Sequence, residues 1–148
     1  MADFSRWGET EDEKQWLREA GFSRRNTRRA ILEFLREDLD ENEKLVELHS
    51  CTYRLQMGYL AVTDQRFAAG MSIAFLPFLD RRRSVALRDI ESVEVLKRPW
   101  GIGLVVEGAG LRLRVGDLKK DLAVALARRI RDLAETARVA PAPTPPAP

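Results

Sequence analysis

A short pattern near the middle of the chain most restricts its fold. Residues 58–67 read as an apolar run, the polar pair Thr63 and Asp64, and a second apolar run. The side-chain oxygens of Thr63 and Asp64 can accept hydrogen bonds from nearby backbone N–H groups, which favours a tight turn between two strands. The segment therefore predicts a β-hairpin.

Further strands are predicted on both sides of this hairpin, because apolar residues alternate or cluster in short runs between turn residues. The predicted strands cover 45–53, 58–63, 66–71, 84–87, 90–96, 102–106 and 111–115. In the last of them, Leu and Val alternate with Arg, the clearest period-two pattern in the chain. Seven short antiparallel strands are expected.

A long amphipathic helix is predicted after the last strand. Gly116 and Asp117 open it, and it runs to about Arg138. Its apolar face consists of Leu118, Leu122, Leu126, Ile130, Leu133 and Ala137. A twisted sheet leaves an open end, and one amphipathic helix can cover it and keep apolar side chains from water.

The two ends of the chain differ from this central part. Residues 1–42 predict a helical segment of two short helices, the second carrying Ile31, Phe34 and Leu35 on one apolar stripe. An acidic stretch, 37–43, separates it from the strands. Residues 140–148 hold five of the seven prolines and predict an extended tail or linker.

Composition narrows the class of protein. With 148 residues, 45% hydrophobic and 32% charged, the chain fits one globular domain with appendages. No apolar run approaches the roughly 18 residues of a membrane span, and the acidic start lacks the pattern of a signal peptide, so a cytoplasmic location is expected. The single cysteine, Cys51, agrees with a reducing compartment.

Charge is distributed unevenly along the chain. The net charge is −4 over residues 1–43, +4 over 44–116 and +2 over 117–148. The central region is only mildly basic and lacks the concentrated positive charge of a dedicated nucleic-acid binder.

Two motifs carry a resemblance to a known family. Gly58, Thr63, Asp64 and Arg66 form the first, and the Asp89-Ile90 pair with Val93 forms the second. At this separation, and followed by strands and one helix, they resemble the bacterial pleckstrin-homology-like domains, relatives of the GRAM domains. The resemblance covers residues 43–134.

The resemblance implies an α+β fold, a seven-stranded antiparallel, partly open barrel or sandwich capped by the C-terminal helix, within a domain at 43–139. It also implies a non-enzymatic binding or assembly module. In eukaryotic pleckstrin-homology domains, phosphoinositide binding depends on basic residues around the first loop. That loop offers only Arg54 here, so the lipid site is not carried over.

No catalytic, metal-binding or cofactor-binding residue is predicted. His49 and Cys51 would share one face of a strand, but a catalytic pair also needs an orienting group and an oxyanion donor. One His and one Cys are too few for a zinc site within one chain. Gly101-Ile102-Gly103 reads as a turn, since it lacks the third glycine of a dinucleotide fingerprint.

The first candidate interaction surface is an apolar segment followed by three arginines. It comprises Phe75, Leu76, Phe78, Arg81, Arg82 and Arg83. Exposed, it would contact a partner protein or a second copy of the chain, with the arginines attracting acidic groups. Alternatively, it would insert into an anionic membrane surface, such as the inner face of the cell membrane. The competing interpretation places the apolar side chains in the core and the arginines on a loop, and we favour it because large exposed apolar patches are uncommon.

A second candidate surface lies at the start of the second predicted helix. It consists of Arg24, Arg25, Arg28 and Arg29. Clustered guanidinium groups suit phosphate, so this surface could bind nucleic acid. A solvated face paired with nearby glutamates is the more ordinary interpretation.

Overall fold

The computed structural model describes residues 34–54, 56–71 and 81–139, together with Gln15 and Ile31. Its centre is one antiparallel sheet of seven strands in the order β4-β3-β2-β1-β7-β6-β5. The strands are β1 Leu45–Tyr53, β2 Gln56–Thr63, β3 Arg66–Met71, β4 Arg81–Ala86, β5 Ile90–Arg98, β6 Gly101–Gly108 and β7 Leu111–Leu118. One helix, α1 Lys120–Val139, follows. The predicted fold class is confirmed.

The predicted hairpin between β2 and β3 is present, and Thr63 forms its turn. The hydroxyl Oγ1 of Thr63 accepts hydrogen bonds from the backbone N–H groups of Gln65 and Arg66, both at 3.0 Å. Asp64 acts differently from the expectation, because its Oδ1 accepts from the backbone N–H of Lys44 at 3.0 Å. The turn is therefore tied to the chain that enters β1.

The predicted start of the helix was wrong. Gly116 and Leu118 belong to β7, where Gly116 pairs with Thr52 and Leu118 pairs with Ile102. Asp117 between them has φ of 58°, in the left-handed region. These pairings to two neighbouring strands extend β7 past the glycine, so the helix begins only at Lys120.

The three arginines also differ from the loop expected for them. Arg81, Arg82 and Arg83 begin β4 and pair with Met71, Gly70 and Ala69 of β3. β4 therefore starts three residues before the predicted strand, because pairing with β3 continues through the arginines.

The main core lies between the sheet and α1. The helix contributes Ala123, Leu126, Ala127, Ile130 and Ala134 as buried residues. They pack with inward-facing side chains of the strands, including Leu60, Phe67, Leu104 and Val115. The predicted apolar face is confirmed in part: Leu126 and Ile130 are buried, while Leu122, Leu133 and Ala137 are partly buried against the core. Leu118 belongs to β7, and the three buried alanines were not predicted.

A second, smaller cluster lies on the opposite face of β1, β2 and β3. Ile31, Phe34 and Leu35 are buried there against sheet residues that include Tyr59 and Ala68. The rings of Phe34 and Tyr59 have their centroids 5.4 Å apart. Phe34–Asp38 forms one π-helical turn. The chain just before β1 therefore packs on the sheet and does not simply precede it.

The two edges of the sheet are β4 and β5, and arginines of α1 cover part of β5. The guanidinium of Arg131 donates hydrogen bonds to the carbonyl oxygen of Val93, one of them at 3.1 Å from Nε. Arg138 donates from Nη1 to the carbonyl oxygen of Ile90 at 3.0 Å. These contacts occupy acceptors that an edge strand would otherwise offer to another chain.

Within the described ranges, no helix has the length and apolar character needed to cross a bilayer.

Candidate functional site

Arg82 and Arg83 of β4 lie beside a small cavity on the face of the sheet that carries Phe34 and Tyr59. Arg82 forms an ion pair with Asp38, with Nη1 and Oδ2 2.9 Å apart, whereas Arg83 is exposed. Both line a cavity of about 280 Å³ together with Phe34 and Tyr59. Arg82 thus links β4 to the π-helical turn, and Arg83 faces solvent.

Several predicted site residues fall outside the described part of the chain. They are Phe75, Leu76, Phe78, Arg24, Arg25, Arg28 and Arg29. For Arg81 the structure describes the backbone, in β4, and not the side chain. Their roles stay predictions.

A buried ionic network that the sequence did not reveal connects the hairpin to the segment before β1. Glu43 is 6% exposed, and its carboxylate accepts hydrogen bonds from Arg66 Nε at 2.9 Å and Nη2 at 3.0 Å. The Thr63 hydroxyl donates to the same carboxylate at 2.5 Å. Arg66 also donates to the carbonyl of Asp38, and its guanidinium lies over the Phe34 ring at 5.3 Å.

Glu43 and Arg66 each stabilise the charged form of the other. Burial alone would raise the pKa of Glu43, but the hydrogen bonds from Arg66 and Thr63 outweigh it and hold that pKa below its ordinary value. Burial would lower the pKa of Arg66, and the Glu43 carboxylate outweighs this and raises it. With its donors and acceptors used internally, the network is a structural element of the hairpin.

The His49 and Cys51 pair lacks the geometry of a nucleophile and base. His49 Nε2 lies 2.6 Å from Glu47 Oε2, so an orienting carboxylate is present. Cys51, however, is 1% exposed within the core. Burial, together with the charge of Asp117, raises the pKa of its thiol, so the thiolate is disfavoured. Cys51 is a core residue.

Glu47 instead joins the sheet to the helix. Its Oε1 lies 3.7 Å from Nε of Arg129 in α1, while its Oε2 contacts His49. Over the described ranges, no group of three or more His, Cys, Asp or Glu side chains has the arrangement of a metal site.

A broad concave surface lies on the face of the sheet turned away from α1. We call it the Trp100 groove, and its volume is about 710 Å³. Among its lining residues are Arg54, Leu96, Arg98, Trp100, Gly103 and Arg114. Strand alternation places Gly103 and Arg114 there, because their neighbours Leu104, Leu113 and Val115 point into the core.

Two glycines, Gly103 and Gly116, line part of the Trp100 groove. A Cβ on Gly103 would lie 2.5 Å from the carbonyl oxygen of Val115, and one on Gly116 would lie 2.8 Å from Thr52 Oγ1. Neither position accepts a side chain without displacement of its neighbour. Part of the groove surface is therefore backbone of β6 and β7, with the Thr52 side chain beside it.

The rim combines an exposed aromatic ring with arginines. Trp100 is 81% exposed, and the Arg98 guanidinium lies 5.8 Å from its ring centroid. Arg54 lies over the Tyr53 ring at 5.7 Å. Elsewhere on the sheet Arg112 pairs with Glu107 at 3.5 Å, but among the described residues no carboxylate lies within ion-pair distance of Arg54, Arg98 or Arg114. The rim thus offers three guanidinium groups to a ligand.

Sequence reasoning missed this groove. In the sequence, Pro99 and Gly101 are typical of the end of a strand, and the Trp between them indicates no role by itself. A signal was present, because a Trp in a two-residue turn, directly after Arg98, has no strand neighbour to cover it. The glycines at 103 and 116 become informative only when β6 and β7 are placed side by side.

Comparisons with known proteins agree on the fold alone. The chain is similar to the hSac2 domain from human phosphoinositide phosphatase Sac2, with 10% identity, a TM-score of 0.53, and 74% of this chain and 80% of that chain covered. A pleckstrin homology domain from Shewanella amazonensis SB2B also matches, with 17% identity, a TM-score of 0.46, and coverage of 66% and 89%. No family model and no curated protein matches the chain. Seven antiparallel strands followed by one C-terminal helix are the arrangement that the resemblance to the pleckstrin-homology-like domains implied.

Proposed function

We propose that this chain is a non-enzymatic binding module that docks a protein partner through the Trp100 groove. The observation that carries the proposal is the exposure of Trp100, at 81%, between arginines that have no ion-pair partner among the described residues. Trp and Arg are the residue types most enriched where protein interfaces gain their binding energy.

The chemistry of the groove favours binding over catalysis. Its rim supplies cations and one large aromatic ring, which suit recognition of an anionic or apolar surface. The candidate nucleophile, Cys51, is buried in the core and does not line the groove. The pleckstrin-homology-like fold is a common scaffold for binding modules, which agrees with the proposal without specifying a ligand.

The arginines of β4 belong to the same proposal as a second contact region. Arg83 is exposed on an edge strand, and the predicted apolar residues Phe75, Leu76 and Phe78 precede it in sequence. An edge strand can accept an extended segment of a partner or of a second copy of the chain.

Site-specific photocrosslinking tests the proposal. Trp100 is replaced by p-benzoylphenylalanine in the full chain, which is then irradiated in intact cells of the organism that encodes it. We expect covalent adducts with a protein, detected by mass spectrometry. The same residue in place of Arg88, exposed in the turn after β4, is the matched control and should give none.

Four outcomes distinguish the alternatives. Adducts with a distinct protein support docking, and adducts with the chain itself support self-assembly. Equal adducts from positions 88 and 100 would contradict a specific surface. Salt-sensitive sedimentation with phosphatidylserine vesicles but not phosphatidylcholine vesicles, lost when Arg81, Arg82 and Arg83 are replaced, would instead favour a membrane-surface role.

A further inference from the structure

We infer that the Trp100 groove binds an extended, acidic segment of a protein, with carboxylates at Arg54, Arg98 and Arg114 and an apolar side chain against Trp100. This inference rests on the proposed docking function and names the chemical class of its partner.

Charge is the first reason. Three guanidinium groups line the groove against one carboxylate, Asp117, so the surface is cationic. Guanidinium groups recognise carboxylates through paired, directional hydrogen bonds. Arg54 and Arg98 each have the guanidinium over an aromatic ring, at 5.7 Å and 5.8 Å from the ring centroid, and such a cation–π contact does not neutralise the charge that attracts a carboxylate.

The shape of the groove is the second reason. Because Gly103 and Gly116 carry no side chain, a polypeptide can lie close to the surface of β6 and β7 between the rim residues. An extended chain places alternate side chains about 7 Å apart on one face. Such a chain can direct separated carboxylates to separate arginines.

Backbone strain around the groove is the third reason. Arg54 and Asp117 have φ of 52° and 58°, the left-handed conformation that is unfavourable for residues with a Cβ. Of the described residues other than glycine, only Ala109 shares it. Two strained residues on one rim are held in place by the surrounding structure, which is common at binding sites.

Asp117 favours spaced carboxylates over a dense polyanion. A phosphorylated head group would bring several negative charges together at one point, where the Asp117 carboxylate on the same rim opposes them. An acidic segment spreads its charges along the chain and can avoid this position. The single exposed Trp100 then discriminates among acidic segments by requiring an apolar side chain beside the carboxylates.

The test is fluorescence anisotropy with the full chain and a labelled peptide. The probe is a twelve-residue peptide made of four Glu-Glu-Leu repeats, and the control peptide has Gln in place of every Glu. We expect the Glu peptide to bind and the Gln peptide not to bind. Affinity should fall by at least about tenfold between about 50 mM and 300 mM salt, because the contacts are ionic and partly exposed.

Variants locate the binding. Arg98→Glu and Arg114→Glu should each weaken binding about tenfold, equivalent to about 1.4 kcal/mol, and Trp100→Ala should weaken it severalfold. Arg88→Glu makes the same charge change outside the groove and should leave the affinity unchanged. All four residues have exposed side chains, and circular dichroism on heating checks that each variant is folded.

Three results would overturn this inference. No binding of the Glu peptide at about 50 mM salt, or equal weakening by Arg88→Glu and Arg98→Glu, overturns the inference. Displacement of the Glu peptide by tripolyphosphate at equal charge concentration also overturns it, because the groove would then be a general anion site. In each of these cases, protein adducts at position 100 would still support the proposed function. The absence of such adducts would contradict both the proposed function and this inference.

Discussion

At the scale of single residues, Glu43 shows how one buried carboxylate can organise a turn. It lies 20 residues before Thr63 and 23 before Arg66, yet it accepts hydrogen bonds from both. Nothing in an acidic stretch distinguishes a solvated glutamate from one that will be buried against an arginine. The Thr63 turn was predictable because its contacts are local, whereas its partner Glu43 was not.

Glu43→Gln is predicted to destabilise the protein by about 2 kcal/mol at neutral pH, because it removes the charge from several hydrogen bonds. The folded-state pKa of Glu43 is depressed below 4.5, so its stabilising contribution is complete above that pH. It is lost as the pH falls through the lower, folded-state pKa. Urea unfolding at a series of pH values should therefore show the difference between the wild type and the variant shrinking below pH 4.5. Glu91→Gln, at an exposed position in β5, is the control, and a difference that does not vary with pH would contradict the argument.

Cys51 gives a second prediction at this scale. Because burial raises the pKa of its thiol and excludes solvent, the folded protein should react very slowly with Ellman's reagent. One equivalent of thiol per chain should react promptly in denaturant, since Cys51 is the single cysteine. Rapid reaction of the native protein, at the rate of a free thiol, would show that Cys51 is accessible and would reopen the question of its chemistry.

At the scale of elements, α1 has two separate roles. Its apolar face covers the core, and its arginines occupy backbone acceptors of the edge strand β5. The amphipathic pattern predicted the first role. It could not predict the second, because the arginines on the polar face would read the same if they faced only water.

The double variant Arg131→Ala and Arg138→Ala is predicted to self-associate more strongly than the wild type. Loss of both side chains leaves the carbonyls of Val93 and Ile90 without these donors, and an exposed edge strand pairs readily with another. Light scattering at increasing concentration should show a higher average mass for the variant. Arg128→Ala, at an exposed position on the same helix, should behave like the wild type, and an equal rise in mass for both variants would contradict edge protection.

Local sequence patterns also explain why the start of α1 was predicted too early. Gly116 and Asp117 have the composition of a helix entry, but β7 continues through them because Gly116 pairs with Thr52 and Leu118 pairs with Ile102. Strand ends are decided by the neighbouring strands, whose register a single sequence does not display. The helix itself was predictable because its periodicity spans several turns.

At the scale of the whole molecule, the order and class of the elements were predictable, and the candidate site was not. Period-two patterns and the Thr63 turn follow from local chemistry, so seven strands and one helix could be expected. The Trp100 groove brings together Arg54, Arg98 and Arg114 from three separate parts of the chain. Its formation depends on which strands are adjacent, and that information lies in the packing of the core.

The pairing between β1 and β7 has a consequence for how the protein folds. Among the described residues, only Thr52 with Gly116 and Tyr53 with Val115 join these strands, and they close a loop of about 60 residues. On one side of this junction lie β1 to β4, and on the other lie β5 to β7. Within each group, every strand pairs with the strand that follows it in the sequence. Each half of the sheet can therefore form from nearby residues, while the closing of the long loop carries the larger entropic cost.

We accordingly expect the junction to form after the rate-limiting step of folding. Gly116→Ala, whose added Cβ meets Thr52 Oγ1, should then speed unfolding and leave the refolding rate nearly unchanged in stopped-flow experiments. Slower refolding with unchanged unfolding would place the junction in the nucleus. If the junction forms late, contacts between residues close in sequence form before contacts between distant ones. Each half of the sheet then assembles on its own before β1 and β7 join them.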